Sequence, residues 1–259
     1  MQSGIRFSII TISFNAENCI GRTIESVLNQ EYSNIEYLFI DGKSKDSTNS
    51  IIDSYKSKLN EKGISIVHLS EQDKGISDAF NKGISKATGE IIVILNADDE
   101  LLPGSLEIID KEFTSDIDIL YGNAIWDDTD NKIKKVKKAG TKLQDLLYRM
   151  ILIHPATFVR REAYDQCGVF DISYRYCMDK ELLYRMYIGG MQFKYINKEL
   201  ALMKAGGISD KNTVKVIKEG KRMAVNNGAN PIKVEVNAME KIVKCKLISI
   251  YKKIIKYVR

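Results

Sequence analysis

The chain has 259 residues, 44% of them hydrophobic, and a formal net charge of +5. This length and composition allow one large core or two unequal lobes and exclude an intrinsically disordered chain. Residues 236–259 hold seven basic side chains and one acidic side chain, a charge of +6, so the first 235 residues carry −1. A near-neutral body argues against a dedicated nucleic-acid binder, which carries its basic residues on the folded domain.

The cysteines and the apolar segments indicate the cellular compartment of the protein. The four cysteines form neither a Cys-x-x-Cys pair nor a zinc spacing, which is typical of reduced thiols in a cytosolic protein. The first residues lead into an apolar strand without the regions of a secretory leader, so we expect no secretion. No apolar run approaches the ~20 residues of a membrane-spanning helix. We therefore expect a cytoplasmic protein.

Strands and helices alternate through the first hundred residues. The apolar patterns predict strands over 7–13, 35–40, 64–69 and 91–95, and helices over 17–30, from Ser44 or Asp46 to Leu59, and over 77–87. Alternating elements predict an α/β fold with a mostly parallel, right-handed, doubly wound sheet.

The fourth predicted strand ends at two adjacent carboxylates. Its five large aliphatic residues are followed by Asn96-Ala97-Asp98-Asp99, and ligands of open α/β sheets bind beyond the carboxyl ends of such buried strands. Two carboxylates at this place suggest a metal ion and phosphates. The alternative is that Asp98 or Asp99 caps a helix opened by Pro103.

The other strand ends are also polar. Ser13-Phe14-Asn15, Asp41-Gly42 and Glu71-Gln72-Asp73-Lys74-Gly75 follow the first three predicted strands. Each segment alone could be an ordinary turn. Because parallel strands end at the same edge of a sheet, the four ends together predict a nucleotide-binding site.

Eight motifs give the chain a family resemblance. In order and spacing they resemble those of the inverting family 2 glycosyltransferases with the GT-A fold, over residues 7–210. The resemblance implies a catalytic domain over 1–210, with a Rossmann-like, sugar-nucleotide-binding half (1–100) and an acceptor half (101–210), followed by a helical basic tail over 211–259. The motifs lie at 7–15, 38–48, 71–83, 89–99, 154–161, 168–171, 179–185 and 206–209.

The resemblance assigns the donor side. Asp41 matches the acid that recognises the nucleotide base, and the segment from Asn96 to Asp99 stands where the family has Asp-x-Asp, which holds the ribose and a divalent metal. The first position here is Asn96, a departure that leaves both Asp98 and Asp99 as ligands of Mn²⁺ or Mg²⁺. The remaining polar residues expected around the donor, a UDP-sugar, are Ser13, Asn15, Asp73 and Lys74.

On the acceptor side, the resemblance makes Asp179 the general base that takes the proton of the attacking hydroxyl. Direct displacement inverts the anomeric carbon and needs one base. The alternative is that Asp179 only caps a helix whose apolar stripe includes Leu182, Leu183 and Met186.

Two further segments are candidates for the site. His154 is expected to contact the donor or acceptor region, although a lone histidine is more often a local hydrogen-bonding residue, and Pro155 predicts an extended entry at this point. The segment 206–209 could close over the diphosphate with Lys204 as a cation, or it is an ordinary loop. Residues 132–138 are predicted to form a charged strand at an edge of the sheet.

The C-terminal tail has the pattern of a basic amphipathic helix. Apolar residues follow helical spacing over 239–258, and basic residues lie largely on the other side. A basic amphipathic helix of this kind binds an anionic membrane surface. The alternative is a helix packed on the catalytic body or on the second subunit of a homodimer.

Together these expectations describe a metal-dependent hexosyltransferase of bacterial surface-polysaccharide biosynthesis, peripheral on the inner face of the cell membrane, with a lipid-linked glycan acceptor. Two other classes stay open: a sugar nucleotidyltransferase, which should carry a glycine-rich, Arg-containing loop after its first strand, and a non-catalytic, membrane-associated sugar-nucleotide-binding protein, which would need no base. A phosphatase with an aspartate nucleophile would have Asp-x-Asp directly after the first strand, where this chain has Ser13-Phe14-Asn15.

Overall fold

A computed structural model describes residues 4–243 except 208, 210 and 211. The strands are β1 (Phe7–Ser13), β2 (Ile35–Asp41), β3 (Ser65–Ser70), β4 (Ile91–Ile94), β5 (Glu100–Leu101), β6 (Ile119–Asp128), β7 (Ile133–Lys137), β8 (Thr157–Arg160) and β9 (Phe193–Lys204). The α-helices are α1 (Ile20–Leu28), α2 (Thr48–Glu61), α3 (Ile76–Lys86), α4 (Ser105–Glu112), α5 (Arg161–Cys167), α6 (Met178–Ile188) and α7 (Thr213–Asn226). Two 3₁₀ helices span Leu143–Leu147 and His154–Ala156, and residues 231–243 are helical.

The strands form one sheet in the order β3-β2-β1-β4-β8-β6-β9-β5, with β7 paired to β6. The first four strands run parallel, as predicted, and their register sets Ser13 beside Asp41 and Asp41 beside Ser70. Strand β8 then pairs antiparallel with both β4 and β6, whereas β6 and β9 run parallel. The α/β fold is confirmed, and the second half of the sheet is mixed.

The core is densest around the first half of the sheet. Strands β2 and β4 are buried along their whole length, which explains their continuous apolar sequences. Helix α3 approaches this layer closely at Gly83, where an added Cβ atom would lie 2.5 Å from Cγ2 of Ile10. This close packing fixes the distance between α3 and β1.

The starts of two helices differ in part from the prediction. Ser47 occupies the N-cap position of α2 without a side-chain capping hydrogen bond, and the carboxylate of Asp46, one of the two predicted caps, accepts the Thr48 N–H at 3.1 Å. Helix α4 begins at Ser105 after Gly104, which has a left-handed φ of 77°. Neither of the two carboxylates after β4 caps α4, because the chain first forms β5, which pairs with β9.

The predicted charged strand edge is confirmed. All five residues of β7 are exposed, and the strand pairs with β6 through residues 124–128. Three of its side chains are lysines, whose charge discourages pairing with another chain.

The predicted tail helix over 239–258 lies mostly outside the described residues. Within them, 239–243 continue the helical segment 231–243. That segment packs inward through Val234 and Ala238. In the part of the chain that the structure describes, no helix combines the length and apolar character needed to cross a membrane.

Candidate functional site

A cavity of about 1500 Å³ lies at the carboxyl ends of the parallel strands. Its wall is completed by residues of α6, α7 and the helical segment 231–243. The sequence-predicted site residues that line it are Ser13, Asn15, Asp73, Asn96, Asp98, Asp99, His154, Asp179 and Lys204. The structure therefore brings residues from both halves of the chain to one space.

Asp41 lies behind this wall, fully buried at the end of β2. Its carboxylate accepts hydrogen bonds from the hydroxyls of Ser13 at 3.0 Å, Ser44 at 2.5 Å and Ser70 at 2.7 Å, and from Nδ2 of Asn49 at 2.9 Å. Burial opposes ionisation, but these donors outweigh it and hold the pKa of Asp41 below its usual value. Asp41 is a fixed negative charge that touches the cavity wall through Ser13.

Asp73 and Lys74 form the turn between β3 and α3. Oδ1 of Asp73 accepts the Gly75 N–H at 2.8 Å, and the Lys74 N–H donates to Asp78 at 2.9 Å. Asp73 lines the cavity, whereas the exposed Lys74 is not part of the wall. An added Cβ atom at Gly42 would lie 2.6 Å from Oδ2 of Asp73, so the glycine leaves room for the Asp73 carboxylate in this position.

The two carboxylates after β4 lie in a tightly held turn. The Thr23 hydroxyl donates to the carbonyls of Ala97 and Asp99, at 2.7 and 2.8 Å, and Nδ2 of Asn96 donates to Oδ2 of Asp99 at 3.0 Å. Asp99 is 3% exposed. Burial, together with the charge of Asp98, raises the pKa of Asp99 to about 7. The turn therefore concentrates negative charge that a cation would offset.

The carboxylates after β4 fit a metal ion whose remaining ligands are supplied by a bound diphosphate. Within residues 4–207, 209 and 212–243, no group of three or more His, Cys, Asp or Glu side chains could hold a metal. Mg²⁺ commonly takes only one or two protein carboxylates plus substrate phosphates and water. The half-buried Asp98 and the buried Asp99 supply two carboxylates, so the residues present fit such an ion.

Asp179 occupies the first turn of α6, whose N-cap residue is Cys177. The predicted capping role of Asp179 is therefore wrong. The segment that leads into α6 is held from α7, where the Glu219 carboxylate accepts the N–H groups of Arg175, Tyr176 and the N-cap residue Cys177 at 2.8, 2.5 and 2.7 Å. The Asp179 carboxylate accepts the N–H of Lys180 at 2.7 Å and lines the cavity, where it can receive a proton from a bound hydroxyl.

His154 lies under Asp179. Its ring packs edge-on against Phe80 and Phe170, with centroids 5.4 and 6.2 Å apart. Burial lowers the pKa of His154, and the nearby charge of Asp179 opposes this shift. The predicted extended backbone at His154 is wrong, because this residue begins a 3₁₀ helix. Pro155 is tolerated there because a first helical turn needs no N–H at that position, and the extended residue is Ile153.

The predicted glycine-rich segment also reaches the cavity through Gly206, Gly207 and Ser209; Ile208 lies outside the described residues. Lys204 lines the cavity at the end of β9. Its Nζ atom lies 2.6 Å from Oδ2 of Asp127, and this ion pair lowers the pKa of Asp127. The Lys204 charge is thus already partnered by a carboxylate in this conformation.

Sequence reasoning missed Lys180 and Glu219. Lys180 lies among the apolar residues of α6 and is 4% exposed, so its position directly after Asp179 was the available signal. Glu219 follows Asp179 by forty residues, and no local pattern could have linked it to the start of α6.

The comparisons with known proteins agree on a fold and a family. The family model Glycosyl transferase family 2 matches residues 8–175. An uncharacterised glycosyltransferase of Nostoc sp. is 32% identical over 150 residues, covering 57% of this chain and 46% of the relative. A PGL/p-HBAD biosynthesis glycosyltransferase of Mycobacterium tuberculosis is 28% identical over 184 residues, covering 70% of this chain and 69% of the relative. The chain thus spans less than half the length of the Nostoc relative.

Solved structures show the same architecture. S. aureus TarS 1–349 in complex with UDP-GlcNAc has a TM-score of 0.65 at 17% identity, over 92% of this chain and 72% of that chain. The mannosyltransferase PcManGT from Pyrobaculum calidifontis, in complex with GDP-Man and Mn²⁺, has a TM-score of 0.67 at 15% identity, over 93% and 70%. These similarities confirm a fold of the GT-A type. Because the family model covers more than half of the chain, the protein belongs to glycosyl transferase family 2, a family of glycosyltransferase enzymes.

Proposed function

We propose that the protein is a metal-assisted, inverting glycosyltransferase that moves a sugar from a UDP-sugar to an acceptor hydroxyl. The observation that carries the proposal is the placement of Asp98, Asp99 and Asp179 on the wall of one cavity. A pair of carboxylates fits the diphosphate side of a donor, and a separate carboxylate fits the acceptor hydroxyl. One base and one leaving group suffice for direct displacement.

The donor side is supported by the strand ends and by the neighbours. Asp41 is held ionised by four side-chain donors behind the cavity wall, where it would fix Ser13, a residue of the wall, for contact with the nucleotide base. TarS and PcManGT were solved with UDP-GlcNAc and with GDP-Man. Asp98 and Asp99 would hold Mn²⁺ or Mg²⁺, which offsets the charge that grows on the departing phosphate oxygens.

The chemical step uses Asp179 as the base. The acceptor oxygen forms a bond to the anomeric carbon as its proton passes to the Asp179 carboxylate. The bond from the anomeric carbon to the phosphate oxygen breaks, and its electron pair leaves with the nucleoside diphosphate. Attack from the face opposite the leaving group inverts the configuration. Glu219 acts as a positioning residue, because it fixes the start of the helix that carries Asp179.

Replacing the base tests the proposal. We expect Asp179→Asn to lower turnover by about 10²- to 10⁴-fold, the usual contribution of a general base, while the dissociation constant for UDP changes by less than about threefold. The exposed Asp165 of α5 supplies the matched control, Asp165→Asn, which should retain full turnover. Full turnover in Asp179→Asn would exclude this residue as the base, and UDP binding without any turnover in the unmodified protein would favour a non-catalytic sugar-nucleotide-binding protein.

The metal is tested by binding as well as by activity. At 100 times its dissociation constant, UDP with Mn²⁺ should stabilise the native protein by about 2.7 kcal/mol. We expect most of this stabilisation to vanish with a chelator or in Asp98→Asn, measured as the shift of the thermal midpoint. An equal shift with and without chelator would contradict the metal assignment.

The proposal extends to the acceptor and its location. A lipid-linked glycan acceptor at the inner membrane face, in surface-polysaccharide biosynthesis, accords with the basic tail over 236–259. It also accords with an exposed apolar stripe on the helical segment 231–243, made of Ile232, Val236, Met239 and Val243. The division into a catalytic domain over 1–210 and a tail over 211–259 is kept as part of this proposal.

A further inference from the structure

A buried lysine lies directly beside the proposed base. Lys180 is 4% exposed, and it lines the cavity together with Gly220 of α7. Its ammonium group reaches across from α6 to α7, because a Cβ atom added at Gly220 would lie 3.2 Å from Nζ of Lys180. The absence of a side chain at position 220 therefore leaves room for the ammonium group.

The charge of Lys180 differs from that of three other basic residues on the cavity wall. Lys204 pairs with Asp127, Lys221 with Glu235 and Arg149 with Asp145. Among the described residues, no carboxylate forms a hydrogen bond with Nζ of Lys180, and the charges of Asp179 and Glu219 act on it only from a distance. An ammonium group with so little exposure and no paired carboxylate is stabilised by an anion that binds beside it.

The nearest acidic side chain on α7 does not supply this counterion. Glu219 contributes to the electrostatic surroundings of Lys180, but its carboxylate oxygens are occupied by three backbone N–H groups. Asp179 is the other acidic neighbour, and its carboxylate bonds to the backbone N–H rather than to the ammonium group of Lys180.

A second cation lies close by. Lys241, on the helical segment 231–243, lines the same cavity, and its Nζ atom donates to the Tyr148 carbonyl at 3.2 Å. Burial holds the pKa of Lys180 below its usual value, and the charge of Lys241 adds to this shift. Two neighbouring ammonium groups at the edge of a cavity form a site that favours an anion.

We propose that Lys180 and Lys241 form an anion-binding subsite for a phosphate or carboxylate group of the acceptor. This inference rests on the proposed glycosyl transfer. The elements around the ammonium group of Lys180 are α6, α7 and the segment 231–243, whereas the proposed donor ligands follow β1, β2 and β4. An anionic group bound here would hold the acceptor with its hydroxyl near Asp179, the residue before Lys180.

The substrate class is tested by titration calorimetry with the full chain. Three probes are compared: octyl glucoside, octyl glucuronide and farnesyl diphosphate, each below its critical micelle concentration. The donor site is first filled with UDP and Mn²⁺, so that a diphosphate probe cannot enter it. We expect an anionic probe to bind at least about tenfold more tightly than octyl glucoside, since a hydrogen bond to a charged group is worth about 1.5–3 kcal/mol. Preference for the glucuronide identifies an acidic sugar, and preference for the diphosphate identifies a lipid phosphate.

Lys180→Met should weaken binding of the preferred anion by about 10- to 100-fold and leave UDP affinity unchanged. Lys221→Met is the matched control, because Lys221 lines the same cavity but is paired with Glu235; anion binding should survive in it. The thermal midpoint separates binding from a structural role: Lys180→Met should be as stable as the unmodified protein or more so, because an unpaired buried charge is removed.

Gly220→Ala provides a second variant that retains the charge. The new methyl group would displace the ammonium of Lys180 by a few tenths of an ångström, while alanine favours a helix interior more than glycine does. We expect weaker anion binding without loss of stability.

Equal binding of all three probes, or anion binding that is unchanged in Lys180→Met, would overturn the subsite. A tenfold loss of UDP affinity in Lys180→Met would also overturn it, since the lysine would then serve the donor. The titrations are repeated without UDP and Mn²⁺. Failure of the unmodified protein to bind any nucleotide would count against the proposed function, whereas the anion titrations would still test Lys180.

Discussion

Two buried aspartates of the site have opposite pKa shifts, although both follow strands of the parallel half. Asp41 accepts hydrogen bonds from four side chains, which overcome the effect of burial and lower its pKa. Asp99 receives one side-chain donor, from Asn96, so burial prevails and, with the charge of Asp98 next to it, raises its pKa to about 7. The direction of each shift therefore depends on whether the hydrogen-bond donors outweigh the effect of burial.

A pH dependence of stability is expected from His154. Because its pKa is lowered in the folded state, the unfolded chain binds a proton at higher pH than the folded protein does. Well above pH ~6.5, the ordinary pKa of histidine, this difference in proton binding does not affect stability. Below that pH it lowers the free energy of unfolding by at most about 1.4 kcal/mol per pH unit. The contribution of His154 to the free energy of unfolding should fall between pH 7 and pH 5.5, whereas Asp99, whose pKa is raised to about 7, contributes a slope of the opposite sign.

Urea denaturation of the unmodified protein and of His154→Gln across this pH range measures the effect. The variant is less stable at pH 7.5, because packing against Phe80 and Phe170 is lost, but its stability should depend less steeply on pH. Parallel curves for the two proteins would show that His154 titrates normally. The half-buried His68, whose pKa is also lowered by burial, remains in both proteins and cancels in the comparison.

At the scale of elements, the start of α6 depends on α7. The Glu219 carboxylate accepts three consecutive backbone N–H groups just before Asp179, so α7 fixes the position of the proposed base. Helix N-termini favour a nearby negative group because their first N–H groups have no partner within the helix. Here Glu219 of another helix bonds one of these groups, the N–H of the N-cap residue Cys177, and the two N–H groups that precede it.

Removing this contact should affect both stability and turnover. We expect Glu219→Ala to lower the free energy of unfolding by about 2–4 kcal/mol, because the N–H groups lose charge-assisted hydrogen bonds. Turnover should fall at least about tenfold with UDP affinity retained, since a shift of the base slows the chemical step. Glu240→Ala, which changes an exposed glutamate, is the control and should leave both quantities unchanged. Unaltered stability in Glu219→Ala would contradict the capping role.

At the scale of the whole molecule, the sheet joins the two halves of the chain around the cavity. Strand β8 links β4 to β6, so that the carboxylates after β4 and the start of α6 face a shared space. The helical segment 231–243 closes one side through Lys241 and buries Val234 and Ala238. Its opposite face is an exposed apolar stripe.

The exposed stripe predicts membrane contact. We expect the double variant Val236→Asp and Met239→Asp to lower partitioning onto anionic vesicles of 70:30 phosphatidylcholine and phosphatidylglycerol by at least about tenfold, because each side chain buries apolar area worth about 1.5–3 kcal/mol. These residues are 50% and 57% exposed, so the thermal midpoint should not change. Val214→Asp, on an exposed apolar residue of α7, is the control. Equal co-sedimentation of all three proteins would show that the stripe is not the membrane contact.

The sequence by itself determined the parallel half of the sheet and most of the proposed donor side. The reason is that this information is local: an apolar run encodes a buried strand, and the residues that follow it, such as Asp98 and Asp99, lie at its carboxyl end. Only the tertiary structure decided the cap of α6, the burial of Lys180 and the antiparallel pairing of β8. Those features depend on contacts between distant residues, such as Glu219 with the start of α6, and sequence periodicity carries no information about partners that are remote along the chain.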